Sequence, residues 1–125
     1  MSINVKVAQL LYAIRVSNKK TQMKVGQSMN VTFQQVQKYE KMINLIPITK
    51  LEKFCSYFKI TISDFFNLDA YSIIDSGNLT EGQKLKHHNQ LSELEMLNLL
   101  ERKANDKGGS KEDMAGESIS QRAHI

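Results

Sequence analysis

The stretch TQMKVGQSMNVTFQQVQKYE, Thr21 to Glu40, constrains the fold more than any other part of the chain. Thr21 and Thr32 each offer a hydroxyl that caps a helix N-terminus by accepting a backbone N–H. Between the two patterns only MNVT interrupts helical spacing. Asn30 tolerates the left-handed conformation that a sharp helix-to-helix turn requires. Gln35 stands three residues after Thr32 as the far half of a capping box, and Val31 can pack on Val36 as a hydrophobic staple. These signals predict one helix from Thr21 through Met29 and another from Phe33 to about Lys41, joined by a tight turn. Gly26 lies inside the first of them, where it costs about 1 kcal/mol against Ala, so another helix is expected to approach closely there.

Flanking patterns supply the remaining elements. Val5, Leu10 (or Ala8), Leu11 and Ile14 lie near one face at helical spacing and predict a first helix from Val5 to about Ser17. After the loop that holds Pro47, the sole proline, apolar residues recur at Leu51, Phe54, Cys55 and Phe58 and predict a fourth helix. Thr61 caps a short fifth one, about Ser63 to Leu68, with Ile60 stapled to Phe65 and Asp64 at the positive N-terminal end. Residues 69–88 show no sustained period and contain Gly77 and Gly82, which predicts a linker. Helical spacing resumes at residues 89–104 through Leu91, Leu94, Leu97 or Asn98, and Leu100. Residues 105–125 are polar and glycine-bearing, and disorder is expected there. The expected fold class is therefore all-α, with a five-helix domain over residues 1–68.

The 125 residues fit one small domain plus some unpacked sequence. The five Phe and four Tyr all occur by Tyr71, which places the core in the first half. One cysteine, Cys55, excludes an internal disulfide. With no signal-peptide pattern and no run of about 18 apolar residues, a soluble, cytoplasmic protein is expected. Residues 1–66 carry ten Lys or Arg against three acidic residues, a net +7; residues 67–125 carry seven against ten, a net −3. A basic first half is suited to a polyanion.

In the second helix of the pair, Val36 and Tyr39 face inward, which leaves Phe33, Gln34, Gln37, Lys38 and Lys41 on the outer side. None is acidic. Gln can pair bidentately with adenine in a major groove, and an aromatic ring near the helix start can touch a thymine methyl. The alternatives are a solvated glutamine face and a Phe33 that fills a gap in the core. From about Leu11 to Phe66 the chain resembles the lambda-repressor-like, Cro/C1-type helix-turn-helix (XRE) family. The matching residues are Arg15, Thr21-Gln22, Asn30-Val31-Thr32, Val36 with Tyr39-Glu40, Pro47, Leu51 with Cys55, and Ile60-Thr61 with Phe65-Phe66. The resemblance implies that Phe33, Gln34 and Lys38 contact DNA bases. It further implies that Gln22, Thr32, Gln37, Lys41 and Asn44 lie at phosphates, and that Arg15 and Glu40 form an internal ion pair. The chain departs from the family pattern at Met42, where glycine is usual, at Ile48, where a capping serine is usual, and at Phe33, where a polar residue is commoner.

No catalytic constellation, metal-ligand pattern or cofactor motif stands out, so the chain is not read as an enzyme and no cofactor is expected. Cys55 reads as a small buried hydrophobe, and adjacent His87 and His88 point apart and lack further ligands. The helix at 89–104 could fold back on the domain, lie on a membrane surface or pair with a second copy. Its Glu93, Glu95 and Glu101 argue against anionic lipid, and pairing in a homodimer is the favoured expectation. The expected function is that of a dimeric, sequence-specific regulator of transcription, a repressor occupying a palindromic operator on double-stranded DNA. The alternative is an antitoxin-like module that binds a protein partner through its C-terminal region and also regulates its own operon.

Overall fold

The computed structural model describes residues 2–108, and side chains as far as Leu100. Seven helices are present among them, in the order α1 (Ile3–Ser17), α2 (Gln22–Met29), α3 (Phe33–Glu40), α4 (Ile48–Tyr57), α5 (Ile62–Phe66), α6 (Ala70–Ser76) and α7 (Glu81–Gly108). Each of the first three starts at a hydroxyl cap. Ser2, Thr21 and Thr32 accept from the N–H groups of Val5, Lys24 and Gln35 at 3.2, 3.0 and 3.1 Å. Thr61 does the same for Asp64 at the head of α5. The cap position of α4 is Pro47, which offers no side-chain acceptor, and Ile48 is the first helical residue.

The first four helices end alike. A left-handed residue follows the last turn, and the next N–H reaches back to a carbonyl five residues earlier: Lys20 to Arg15, Val31 to Gly26, Ile43 to Lys38 and Ile60 to Cys55, at 2.9–3.1 Å. The left-handed positions are Lys19, Asn30, Met42 and Lys59. Glycine is the usual occupant of such a position. Met42 therefore keeps the backbone that the expected glycine would have supplied, and its side chain packs on Val5, Ala8 and Leu94.

α1 is the hub. Val5 and the unbroken run Ala8 to Ile14 are all buried, because α3, α6 and α7 cover different sides of the helix. The main core joins Leu10, Leu11 and Ile14 to Val25, Met29, Val36, Leu51, Phe54, Phe65, Ile74 and Leu91. Burying each aliphatic or aromatic side chain contributes roughly 1.5–3 kcal/mol.

Residues 69–88, expected as a linker, hold α6 and the first turns of α7. Asp69 caps α6 by accepting from Ser72 N–H at 3.0 Å. Thr80 and Gln83 form a full reciprocal capping box, with Gln83 N–H donating to Thr80 Oγ1 at 3.1 Å and Thr80 N–H to Gln83 Oε1 at 2.9 Å. Ala70 and Ile74 are buried against the hub. The amphipathic helix expected at 89–104 is thus the continuation of a longer one, and of the expected disordered tail residues 105–108 belong to α7 while 109–125 lie outside the described residues.

α7 folds back on the domain along its first half. Leu91 and Leu94 are buried, and Gln9 Nε2 donates to Leu91 O at 2.9 Å and to Glu95 Oε2 at 2.8 Å. Tyr71 of α6 also donates to Glu95 Oε2, at 3.1 Å. Both hydrogens of the buried Gln9 amide nitrogen are thereby satisfied, as desolvated donors must be.

Candidate nucleic-acid interface

α2 and α3 meet at the turn Asn30-Val31-Thr32. Gly26 makes their approach feasible: a Cβ built there would stand 2.7 Å from Val31 O. The left-handed Asn30, φ 61°, reverses the chain at once. Val25, Met29, Val36 and Tyr39 seal the contact from inside, which leaves the opposite side of α3 to solvent.

On that side Phe33 is 41% exposed, and Gln34, Gln37, Lys38 and Lys41 are exposed as well. Asn44, in the loop after α3, is exposed and lies 3.5 Å from Gln35 Oε1 through its Nδ2. Thr32 is exposed but its hydroxyl is committed to the cap of α3. Gln35 does not close its capping box with Thr32; its side chain turns toward Asn44 and Tyr39 instead. Burial raises the Tyr39 hydroxyl above its ordinary value, an effect that the Gln35 contact partly offsets.

Electrostatics favour an anion here. Lys19, Lys20, Lys24, Lys38 and Lys41 are exposed around the pair of helices. The first carboxylate in the sequence is Glu40, and the next is Glu52. Glu40 is only 3% exposed and is neutralised by Arg15, whose Nε donates to Oε2 at 2.6 Å and Nη2 to Oε1 at 3.0 Å. No carboxylate therefore faces solvent between Ser2 and Leu51. Gln22, half-buried at the start of α2, donates its amide Nε2 to Glu40 Oε1 at 3.1 Å. That residue is thereby tied to the ion pair rather than standing free on the surface.

Residues outside the expected set join this region from behind. Tyr12 lies beneath Arg15, with the guanidinium 5.7 Å from the ring centroid, and its hydroxyl is 2.6 Å from His87 Nδ1. Burial raises the Tyr12 hydroxyl above its ordinary value. The available sequence signal was the spacing of Tyr12 and Arg15, three apart on one helix; nothing local links either to His87. His88 instead meets Asp75 at 2.7 Å, so the adjacent histidines serve two different partners. Cys55 is buried in the core, and burial pushes its thiol up.

Two helices crossing at a left-handed turn, the second capped at its start and open along its outer side, make a helix-turn-helix. Comparison with known families points the same way: residues 11–65 match the helix-turn-helix family model. Over 46 residues the chain is 39% identical to an uncharacterized HTH-type transcriptional regulator of Sinorhizobium medicae (strain WSM419), and equally to one of Rhizobium meliloti (strain 1021). Those residues are 37% of this chain and 33% of each relative, so the match spans about a third of the length of these curated relatives. No solved structure matches the chain.

Proposed function

We propose that the chain is a sequence-specific, double-stranded DNA-binding regulator of transcription that inserts α3 into a major groove. The observation that carries this reading is the outward side of α3, exposed, free of carboxylates and bearing Phe33, Gln34, Gln37 and Lys38. In this reading Phe33, Gln34 and Lys38 meet base edges. Gln37, Lys41, Asn44 and the helix start at Thr32 lie along phosphates, where the N-terminal dipole of α3 adds attraction. Gln22 reaches phosphate only through the edge of its amide that is not bound to Glu40. Such a regulator acts in the cytoplasm. It needs no catalytic group or cofactor, because occupancy of a promoter is enough to repress.

The finer reading is a homodimer on a palindromic operator, with two copies of α3 about one DNA turn, roughly 34 Å, apart. Support comes from α7: Leu85, Met96, Leu97, Leu99 and Leu100 are all about half-exposed. An antitoxin-like protein partner could use the same residues. Selection of bound sequences from random duplex DNA tests the main reading. The expected product is a two-fold symmetric motif with A·T pairs facing Gln34, and affinity that falls steeply with salt. A Gln34→Ala protein that selects the unchanged motif would remove Gln34 from the base-reading set.

A further inference from the structure

A polar chain runs from α7 into the helix-turn-helix, away from the surface offered to DNA. It begins at half-buried His87, passes to the Tyr12 hydroxyl at 2.6 Å, and continues through the Tyr12 ring to the Arg15 guanidinium. Arg15 then grips Glu40 at the end of α3 through two bonds and donates to Lys20 O at 2.9 Å through Nη1. Glu40 in turn holds Gln22, the first residue of α2. Both helices of the DNA-facing motif are thus tied to one guanidinium, and α7 supports that guanidinium from beneath.

We propose that Tyr12 and His87 are positioning residues for duplex recognition: docking of α7 through this pair orients Arg15, and Arg15 fixes the start of α2 against the end of α3. The proposal rests on the DNA-binding reading above. Neither residue touches the nucleic acid. Their effect passes through a buried ion pair whose geometry decides its strength, since a desolvated carboxylate depends on well-placed donors.

The contact is sensitive to protons. Burial, followed by Lys86, Arg15 and His88, lowers the His87 pKa from its ordinary value of 6.5. A His whose folded value lies below its unfolded one supports docking fully above the unfolded value and loses that support as pH falls through 6.5 toward the folded value. With the neutral ring carrying its hydrogen on Nε2, Nδ1 accepts a hydrogen bond from the Tyr12 hydroxyl. Protonation removes that acceptor and sets a cation against Arg15 of α1 and Lys86 of α7. From α6, Asp75 and the Tyr71 ring face His88 instead.

The test compares duplex affinity of the full chain with that of Tyr12→Phe, His87→Leu and His87→Asn across about pH 5.5 to 7.5, and follows the Arg15 Nε–H resonance in the DNA-free protein. The wild type is expected to weaken by about fivefold or more toward low pH. Tyr12→Phe and His87→Leu are expected to be weaker by a similar factor at neutral pH, with a flatter profile. His87→Asn keeps an acceptor near the position of Nδ1 and is expected to restore neutral-pH affinity while losing the acid-side fall. In the free protein the Arg15 resonance should move with His87 ionisation in the wild type and stay still in His87→Asn. An Arg15 resonance indifferent to His87, or a His87→Leu protein that binds duplex as the wild type does at every pH, overturns the proposal. Wild-type protein that binds no duplex while its Arg15 signal follows His87 would instead sink the DNA reading and uphold the link from α7 to Arg15.

Discussion

Two glycines show how one residue type takes opposite meanings from its surroundings. At Gly26 an added Cβ would stand 2.7 Å from a backbone carbonyl, whereas at Gly82 nothing lies within 4 Å. Gly26→Ala is expected to destabilise the domain by about 1–3 kcal/mol through overpacking at the turn. Gly82→Ala is expected to stabilise it by up to about 1 kcal/mol, since helix propensity is then the only term that changes. Denaturant midpoints of the two variants, read against the wild type, check both signs. At Gly26 the sequence pointed to another helix, whereas the atoms a Cβ would meet are the Val31 and Thr32 backbone of the turn that follows; the tightness was legible, its source was not. At Gly82 the same residue argued for a linker, and the argument failed because a full capping box at Thr80 and Gln83 outweighs one exposed helical glycine.

At the scale of elements, the helices that could be read locally are those with their own start and stop signals. α2, the turn and α3 fall within a residue of their expected bounds because Thr21, Asn30 and Thr32 each act on neighbours in sequence. α6 could not be read this way. It has seven residues, and its apolar positions, Ala70 and Ile74, gain their meaning only from α1. The same holds for α7, whose inward face is defined by Gln9 and Tyr12 more than by its own period. Because α7 is part of the core, Leu91→Ala is expected to cost about 2–5 kcal/mol and to lower a single cooperative unfolding transition monitored at Tyr39 in α3. A separate early transition confined to α7, with the rest unchanged, would mean that the helix is an appendage.

Taken as a whole molecule, the chain divides its labour by charge and by side. The basic surface around α2 and α3 lies on one part of the domain, and the outward leucines of α7 offer a second, apolar one. Replacing Leu97 and Leu100 together by Ser is expected to convert a dimer at micromolar concentration into a monomer, measured by light scattering, and to weaken binding to a two-fold operator far more than to a single half-site. A wild-type chain that runs as a monomer would refute this arrangement. The hub helix carries one more consequence. α1 leaves the ribosome before the α6 and α7 segments that clothe it have been made, and Gln9 must wait for Leu91, 82 positions later. At about 5–20 residues per second that wait lasts roughly 4–16 s, an interval in which the greasiest part of the newborn chain is open to chaperones and proteases.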